Sequence, residues 1–355
     1  MFAFLTAWLS LLCLAAALPA SSLDERGDGY SSPRQVMYIQ TFHYTNGGQL
    51  SLLPLVEQKT GVTHILLAAV HINSTPGDVE LNDDSTNSTV YTQIWSEAAQ
   101  LQKDGVKVMM MLGGAAPGSY PNLCSGTNGA IINEAYYTPL RDTLRYHNVD
   151  GLDLDIEEQP ASAIALSTRA ATASGRPNGK LVNWYNAQFY NGWGDASTPI
   201  GYNAIIANGY APDRVVLGVL DNPNDAGSGF YRVGTYKTTI ATLRANYHNF
   251  GGDAGWEFWD AGASDGYANP SQWVSDIATA VFGSSSDDKS ALRNLQAAPI
   301  PRGPTPWPHL ISTLETLGVG FLPAVRALNL TDGNLHQALK VLDLPEIVPL
   351  RPLIG

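Results

Sequence analysis

Val149-Asp-Gly-Leu-Asp-Leu-Asp-Ile-Glu157 alternates acidic and apolar residues with a period of two. Successive side chains of a β-strand point to opposite faces, so Asp153, Asp155 and Glu157 share one face of the strand. Leu152, Leu154 and Ile156 share the other. An unbroken apolar face packs under covering helices, which sends the three carboxylates inward. Buried charges of like sign are costly unless hydrogen-bonded or partly neutralised. At least one of the three is therefore expected to hold a proton near neutral pH. Two other readings of an acidic face remain open at this point: a Mg²⁺ or Ca²⁺ site, or an acidic cluster on a solvated edge. The apolar partner face argues against the solvated edge, and no phosphate-binding loop accompanies the cluster.

Outward from this strand, short apolar runs bounded by Gly, Asp or Asn recur along the chain. They begin at Val36, His64, Val106, Leu181, Arg214 and Ala254. Between them, stretches such as Tyr91–Asp104 and Asn133–His147 carry apolar residues at helical spacing. Strand and helix alternating over some 250 residues predict an α/β fold, either a TIM-type barrel or a doubly wound sheet. Seven strand candidates are found, one fewer than a closed eight-stranded barrel needs.

The chain has 355 residues with 44% hydrophobic content, enough for a sizeable core. Its formal net charge is −12, from 20 Lys and Arg against 32 Asp and Glu. That balance argues against nucleic acid and anionic membrane as partners, which need clustered cations. Residues 1–20 read as a secretory signal: Phe2 to Leu18 is almost wholly apolar, and Ala15, Ala17 and Ala20 offer cleavage points. The expected location is extracellular. Cys13 would leave with that segment, so Cys124 would stand alone and no internal disulfide forms. Sequons occur at Asn73, Asn87 and Asn329. The composition divides the remainder into a barrel over 33–283, a Ser-, Asp- and Pro-rich linker over 284–308, and a small three-helix module over 309–345.

The run Asp150-Gly-Leu-Asp-Leu-Asp-Ile-Glu157 resembles the DGxDxDxE signature of glycoside hydrolase family 18, the chitinases and endo-β-N-acetylglucosaminidases. Met111-Leu-Gly-Gly114 stands where that family has SxGG, with Met111 in place of Ser. Asn186-Ala-Gln-Phe-Tyr-Asn191 is similar to its sixth-strand segment, and Gly255-Trp-Glu257 to its last-strand segment. The resemblance implies retaining, substrate-assisted hydrolysis of β-1,4 bonds between N-acetylglucosamine units, in chitin or in the chitobiose core of N-glycans. Glu157 would protonate the leaving oxygen, Asp155 would orient the substrate's acetamide, and Asp153 would hold Asp155. Gln188 and Tyr190, with Asn186 on the same strand face, would contact the acetamide, and Trp256 would floor the sugar. No cofactor and no metal is called for. The Gln188-Phe-Tyr-Asn191 neighbourhood leans toward fungal members.

The resemblance breaks after Glu158. Residues 159–179, only 21 in number, stand where the family places helix four, strand five and helix five. One βα unit of such a barrel needs roughly 30 residues, so the barrel is expected to lack its fifth strand. A catalytically silent glycan-binding protein on the same scaffold is the alternative reading. The tail, Leu317-Gly-Val with Asp332-Gly-Asn334 and Ala338-Leu, resembles a ubiquitin-associated-type module of unknown partner.

Overall fold

The computed structural model describes residues 33–44, 46–125, 131–157 and 182–283, the backbone of 12–17, and single positions between 310 and 339. The interval 158–181, the linker, and most of the leader and of the C-terminal module lie outside the described residues. Among the single positions, Ile311, Leu314, Ala324, Leu328 and Leu339 are helical and buried.

The strands and helices run in the order β1 (Leu12–Ala17), β2 (Arg34–Ile39), α1 (Pro54–Glu57), β3 (His64–Ile72), β4 (Val79–Leu81) and β5 (Asp84–Ser85). There follow α2 (Thr92–Lys103), β6 (Lys107–Gly113), α3 (Ser119–Leu123), β7 (Cys124–Ser125), β8 (Ile131–Ile132), α4 (Glu134–Tyr146) and β9 (Gly151–Asp155). The last are β10 (Val182–Gln188), α5 (Ile200–Ala207), β11 (Val215–Leu220), α6 (Val233–Asn246), β12 (Gly252–Trp256) and α7 (Pro270–Phe282). All seven runs read from sequence form strands, and both amphipathic stretches form helices.

The main sheet has the order β2-β12-β11-β10-β1-β9-β6-β3, with the β4–β5 hairpin added beyond β3. Because β2 pairs with β3 as well as with β12, the order returns to its start. The seven strands read from sequence are parallel to their neighbours among themselves. This is a TIM-barrel-like α/β fold. Strand parity explains its two apolar clusters. One residue set turns inward: Val36 and Tyr38, Leu66 and Ala68, Met109 and Met111, Trp184, Val216 and Ala254 form a central cluster, with Trp256 packed against it. The alternate set, including Met37, Ile65, Val108, Leu152, Leu154 and Leu217, joins helix residues such as Leu101, Leu243 and Ile277 in the outer layer. The apolar face of β9 therefore packs outward as its alternation requires.

One element departs from the sequence expectation. Leu12–Ala17, inside the stretch read as a secretory leader, forms β1 and pairs antiparallel with β10 and with β9. Ala15 registers with Asp153, and Asn186 with Cys13. Among the described residues, the place between β9 and β10 is thus taken by an antiparallel segment from near the start of the chain; residues 158–181, where the fifth strand was expected to be missing, lie outside them. An extended segment is suited to that place, since its own N–H and C=O groups pair with those of the two facing strand edges.

Candidate active site

β9 carries Asp153 and Asp155 into the interior, where they are 0% and 7% exposed. Glu157, two residues further, lies past the end of the strand and is exposed. The strand thus raises its carboxyls in steps from floor to rim. On the neighbouring strand β6, Met111 registers with Asp153 and Gly113 with Asp155. Gly113 has φ +104, and a Cβ there would press into the Asp155 carbonyl oxygen and stand 2.8 Å from the Tyr120 ring. Only glycine lets this backbone approach β9 so closely. The Gly114 N–H then donates to Asp155 O at 3.1 Å, and the Tyr120 hydroxyl lies 2.9 Å from the same oxygen. The Gly-Gly step thus serves the backbone under Asp155.

Asp153 is held by a relay of donors. The Tyr38 hydroxyl donates to its Oδ2 at 3.0 Å, and Asn186 Nδ2 donates to its Oδ1 at 3.3 Å and to the Tyr38 oxygen at 2.9 Å. Trp184 Nε1 donates to Asn186 Oδ1 at 2.8 Å, which fixes the orientation of that amide. Burial pushes the Asp153 carboxyl well above the usual carboxylate range, and the Asp155 charge pushes the same way; the hydrogen bonds from Tyr38 and Asn186 only oppose it. Glu157 is also raised, first by loss of solvation against the surrounding protein, with a hydrogen bond from the Asp155 side chain acting in the other direction. The two residues raised, one buried and one at the rim, bracket Asp155.

Asp155 opens into a pocket lined by Tyr38, Asn186, Gln188, Tyr190, Gly218, Ala254 and Trp256. All four residues expected to contact sugar, Asn186, Gln188, Tyr190 and Trp256, line this one pocket, and the structure brings them to Asp155. Asn186 is 3% exposed and spends its amide on Trp184, Tyr38 and Asp153, whereas Gln188, Tyr190 and Trp256 are half-buried. Trp256 meets Tyr38 with ring centroids 5.3 Å apart, tilted by 58°. Its neighbour Glu257 anchors the segment: the carboxylate accepts from the backbone N–H of Gln40 and Thr41, both at 2.8 Å, and from the Thr41 hydroxyl at 2.7 Å. Tyr38 was not singled out from sequence. In the run VMYIQTF its ring has the look of core, and only its place opposite β9 reveals the hydroxyl's partner. Both oxygens of Asp153 accept from protein donors.

A TIM-barrel-like fold carries a Gly-Gly-supported carboxylate ladder that opens into a pocket with three aromatic residues among its eight, and the relatives it matches are glycoside hydrolases. A profile of Glycosyl hydrolases family 18 matches residues 34–173. The chain is similar to the structure of chitinase ChiC from Aspergillus fumigatus, with 40% identity, 65% of this chain and 93% of that one covered, and a TM-score of 0.57. It is also similar to a fungal endo-β-N-acetylglucosaminidase of glycosyl hydrolase family 18, with 31% identity, 70% and 98% covered, and a TM-score of 0.61. Chitinase 1 of Rhizopus niveus is 25% identical over 264 residues, 65% of this chain and 50% of that protein. The chain spans about half the length of the curated relatives it matches. The protein belongs to glycoside hydrolase family 18.

Proposed function

We propose that this protein hydrolyses β-1,4 bonds between N-acetylglucosamine units with net retention, in chitin or in the chitobiose core of N-glycans. The observation that carries this reading is the stepped carboxylate ladder of β9, whose carboxyls are raised above their ordinary pKa range both at the buried end and at the rim. Glu157, raised by its surroundings, enters the reaction as the acid and protonates the leaving oxygen. The substrate's own acetamide oxygen attacks the anomeric carbon, and the glycosidic bond breaks as the oxazolinium ring closes. Asp155 orients the acetamide N–H and balances the positive charge that develops. Asp153, neutral in the resting site, shares its proton with Asp155 and sets that residue's charge. Glu157, now a carboxylate, then takes a proton from the water that opens the ring. Tyr190 and Gln188 bound the acetamide and Trp256 stacks under the sugar. The leader-like residues 1–20 support secretion.

The second reading, a glycan-binding protein without turnover, is favoured by one observation: an antiparallel strand from residues 12–17, rather than a parallel one, lies beside β9. Incubating the purified protein with a chitin oligomer and with a high-mannose glycopeptide, next to Glu157→Gln, separates these readings. Turnover of one substrate by the wild type alone supports hydrolysis and identifies the glycan. Equal rates for the two proteins sink the mechanism, and binding without turnover by both selects the second reading.

A further inference from the structure

The loops that leave β11 and β12 carry a second group of carboxyls, which the proposed hydrolysis does not use. Asp221 follows β11 directly, Asp225 lies four residues on, and Asp260 lies four residues past the end of β12. Each offers one oxygen, and the three oxygens lie within 4.8 Å of one another. Asp221 is 0% exposed, and neither of its carboxyl oxygens meets an N–H or hydroxyl donor; Oδ1 of Asp260 is buried in the same condition. An acidic cluster on a solvated surface would satisfy its oxygens with water. Here a wholly buried carboxylate is aimed at two others with nothing donating to it, and leaving it so costs more than most single interactions contribute.

The backbone around the cluster is tightly knitted. The Asp221 N–H donates to Trp256 O and the Gly262 N–H to Asp221 O, both at 3.0 Å. Asn222 Nδ2 donates to Asp260 O at 3.2 Å, and the Glu257 N–H to Asp225 Oδ2 at 3.3 Å. These bonds hold the carboxyls together although their charges repel. Burial acts most strongly on all three, and the neighbouring charges of Asp225, Asp260 and Glu257, all of one sign, push the same way. The outcome is an Asp221 carboxyl well above its ordinary range, Asp225 pushed up to about 7 and Asp260 to about 6. Positive charge at the centre of the group, a cation or protons, relieves both the repulsion and the unmet oxygens of Asp221.

We propose that Asp221, Asp225 and Asp260 form a binding site for a calcium-sized divalent cation that clasps the β11 loop to the β12 loop behind Trp256. Hard carboxylate oxygens in this number suit Ca²⁺ or Mg²⁺. Oxygens on one Ca²⁺ lie at most about 5.2 Å apart, given its bond lengths, so three oxygens within 4.8 Å of one another fall inside its span, whereas Mg²⁺ would need every separation under about 4.2 Å. Asn222 and Glu257 flank the group, with backbone carbonyls and water available to complete the six to eight ligands calcium takes. The rival occupant is a proton shared among the three carboxyls, which neutralises less charge and makes the opposite prediction about pH.

The test is thermal unfolding of the full chain at pH 7.5 in EGTA, in CaCl₂ and in MgCl₂, with Tb³⁺ luminescence excited through tryptophan as a direct binding readout. Ca²⁺ at a hundredfold excess over its Kd is expected to raise Tm by about 5–10 °C, with Mg²⁺ giving less. Tb³⁺ is expected to bind with a stoichiometry of one and to be displaced by Ca²⁺. Asp225→Asn and Asp260→Asn each remove one repelling charge, so in EGTA their Tm should equal or exceed the wild type's, while their response to Ca²⁺ is lost. The proposal is overturned if Ca²⁺ and EGTA leave the wild-type Tm unchanged and Tb³⁺ does not bind with a stoichiometry of one, since the three carboxyls then hold protons instead. It is equally overturned if Ca²⁺ stabilises wild type and both variants alike. Should neither variant fold, the wild-type response to Ca²⁺ against EGTA and the Tb³⁺ stoichiometry still decide.

Discussion

Glu157 stands two residues beyond the buried Asp155 on the same strand face, so its carboxyl alternates with the ladder yet reaches the rim. Its raised pKa sets the sign of the pH dependence. An acid that must hold a proton is lost as pH rises through its pKa, so turnover should fall on the alkaline side at a pH above the ordinary carboxylate range. Glu157→Gln should lower kcat by about 10²–10⁴-fold, the usual reach of general-acid catalysis, while chitin-oligomer binding persists. Following both quantities separates acid loss from misfolding. Tyr38→Phe tests the other end of the ladder. It removes the hydroxyl that donates to Asp153 and accepts from Asn186, which should cost about 1 kcal/mol in denaturant unfolding. It should also raise Asp153 further, because a bond that favours its charged form is gone. Asp153 itself links stability to pH: its raised folded pKa gives stability that is full below the ordinary carboxylate value and lost as pH rises through the folded one.

At the scale of elements, seven strands were legible because each is a short apolar run bounded by residues that stop it, and β9 because its alternation assigns each face. Asn186, Gln188, Tyr190 and Trp256 were legible through their family segments, with strand parity placing the first three on one face although Tyr190 lies just past the end of β10. Tyr38 was not, since a tyrosine among apolar neighbours on β2 declares nothing until the sheet sets it across from Asp153. The Asp221 group was not legible either: its members lie on two loops 39 positions apart at the extremes, and only the adjacency of β11 and β12 joins them. The β6–β9 contact gives the sharpest prediction at this scale. At Gly113 an alanine would combine a left-handed backbone with a methyl group driven into Asp155 O and the Tyr120 ring. Gly113→Ala should therefore destabilise by about 2–4 kcal/mol in denaturant unfolding. Gly114→Ala meets only ordinary contacts at 3.5 Å and beyond; its cost comes from backbone conformation alone and should be the smaller.

For the whole molecule, the sheet and the leader make competing demands on one segment. Residues 1–20 have the composition of a sequence that is cut away, yet Leu12–Ala17 pairs with both β9 and β10. A segment that is removed leaves two strand edges facing each other, with their N–H and C=O groups unpaired beside the β9 carboxylates. Residues 158–181 join β9 to β10 and are the other part of the chain tied to that place. A protein beginning at Ser21, compared with one beginning at Met1, distinguishes the two arrangements. If β1 is what pairs these edges, the shorter protein should show amide exchange in β9 and β10 faster by at least about tenfold, equivalent to about 1.4 kcal/mol of lost protection. It should also show greater aggregation, while exchange in β2 and β12 across the sheet stays unchanged. Equal protection in the two proteins would mean that the edges are paired without residues 12–17. The site would then be complete in the secreted form, and the expectation of a removable leader would stand beside a working barrel.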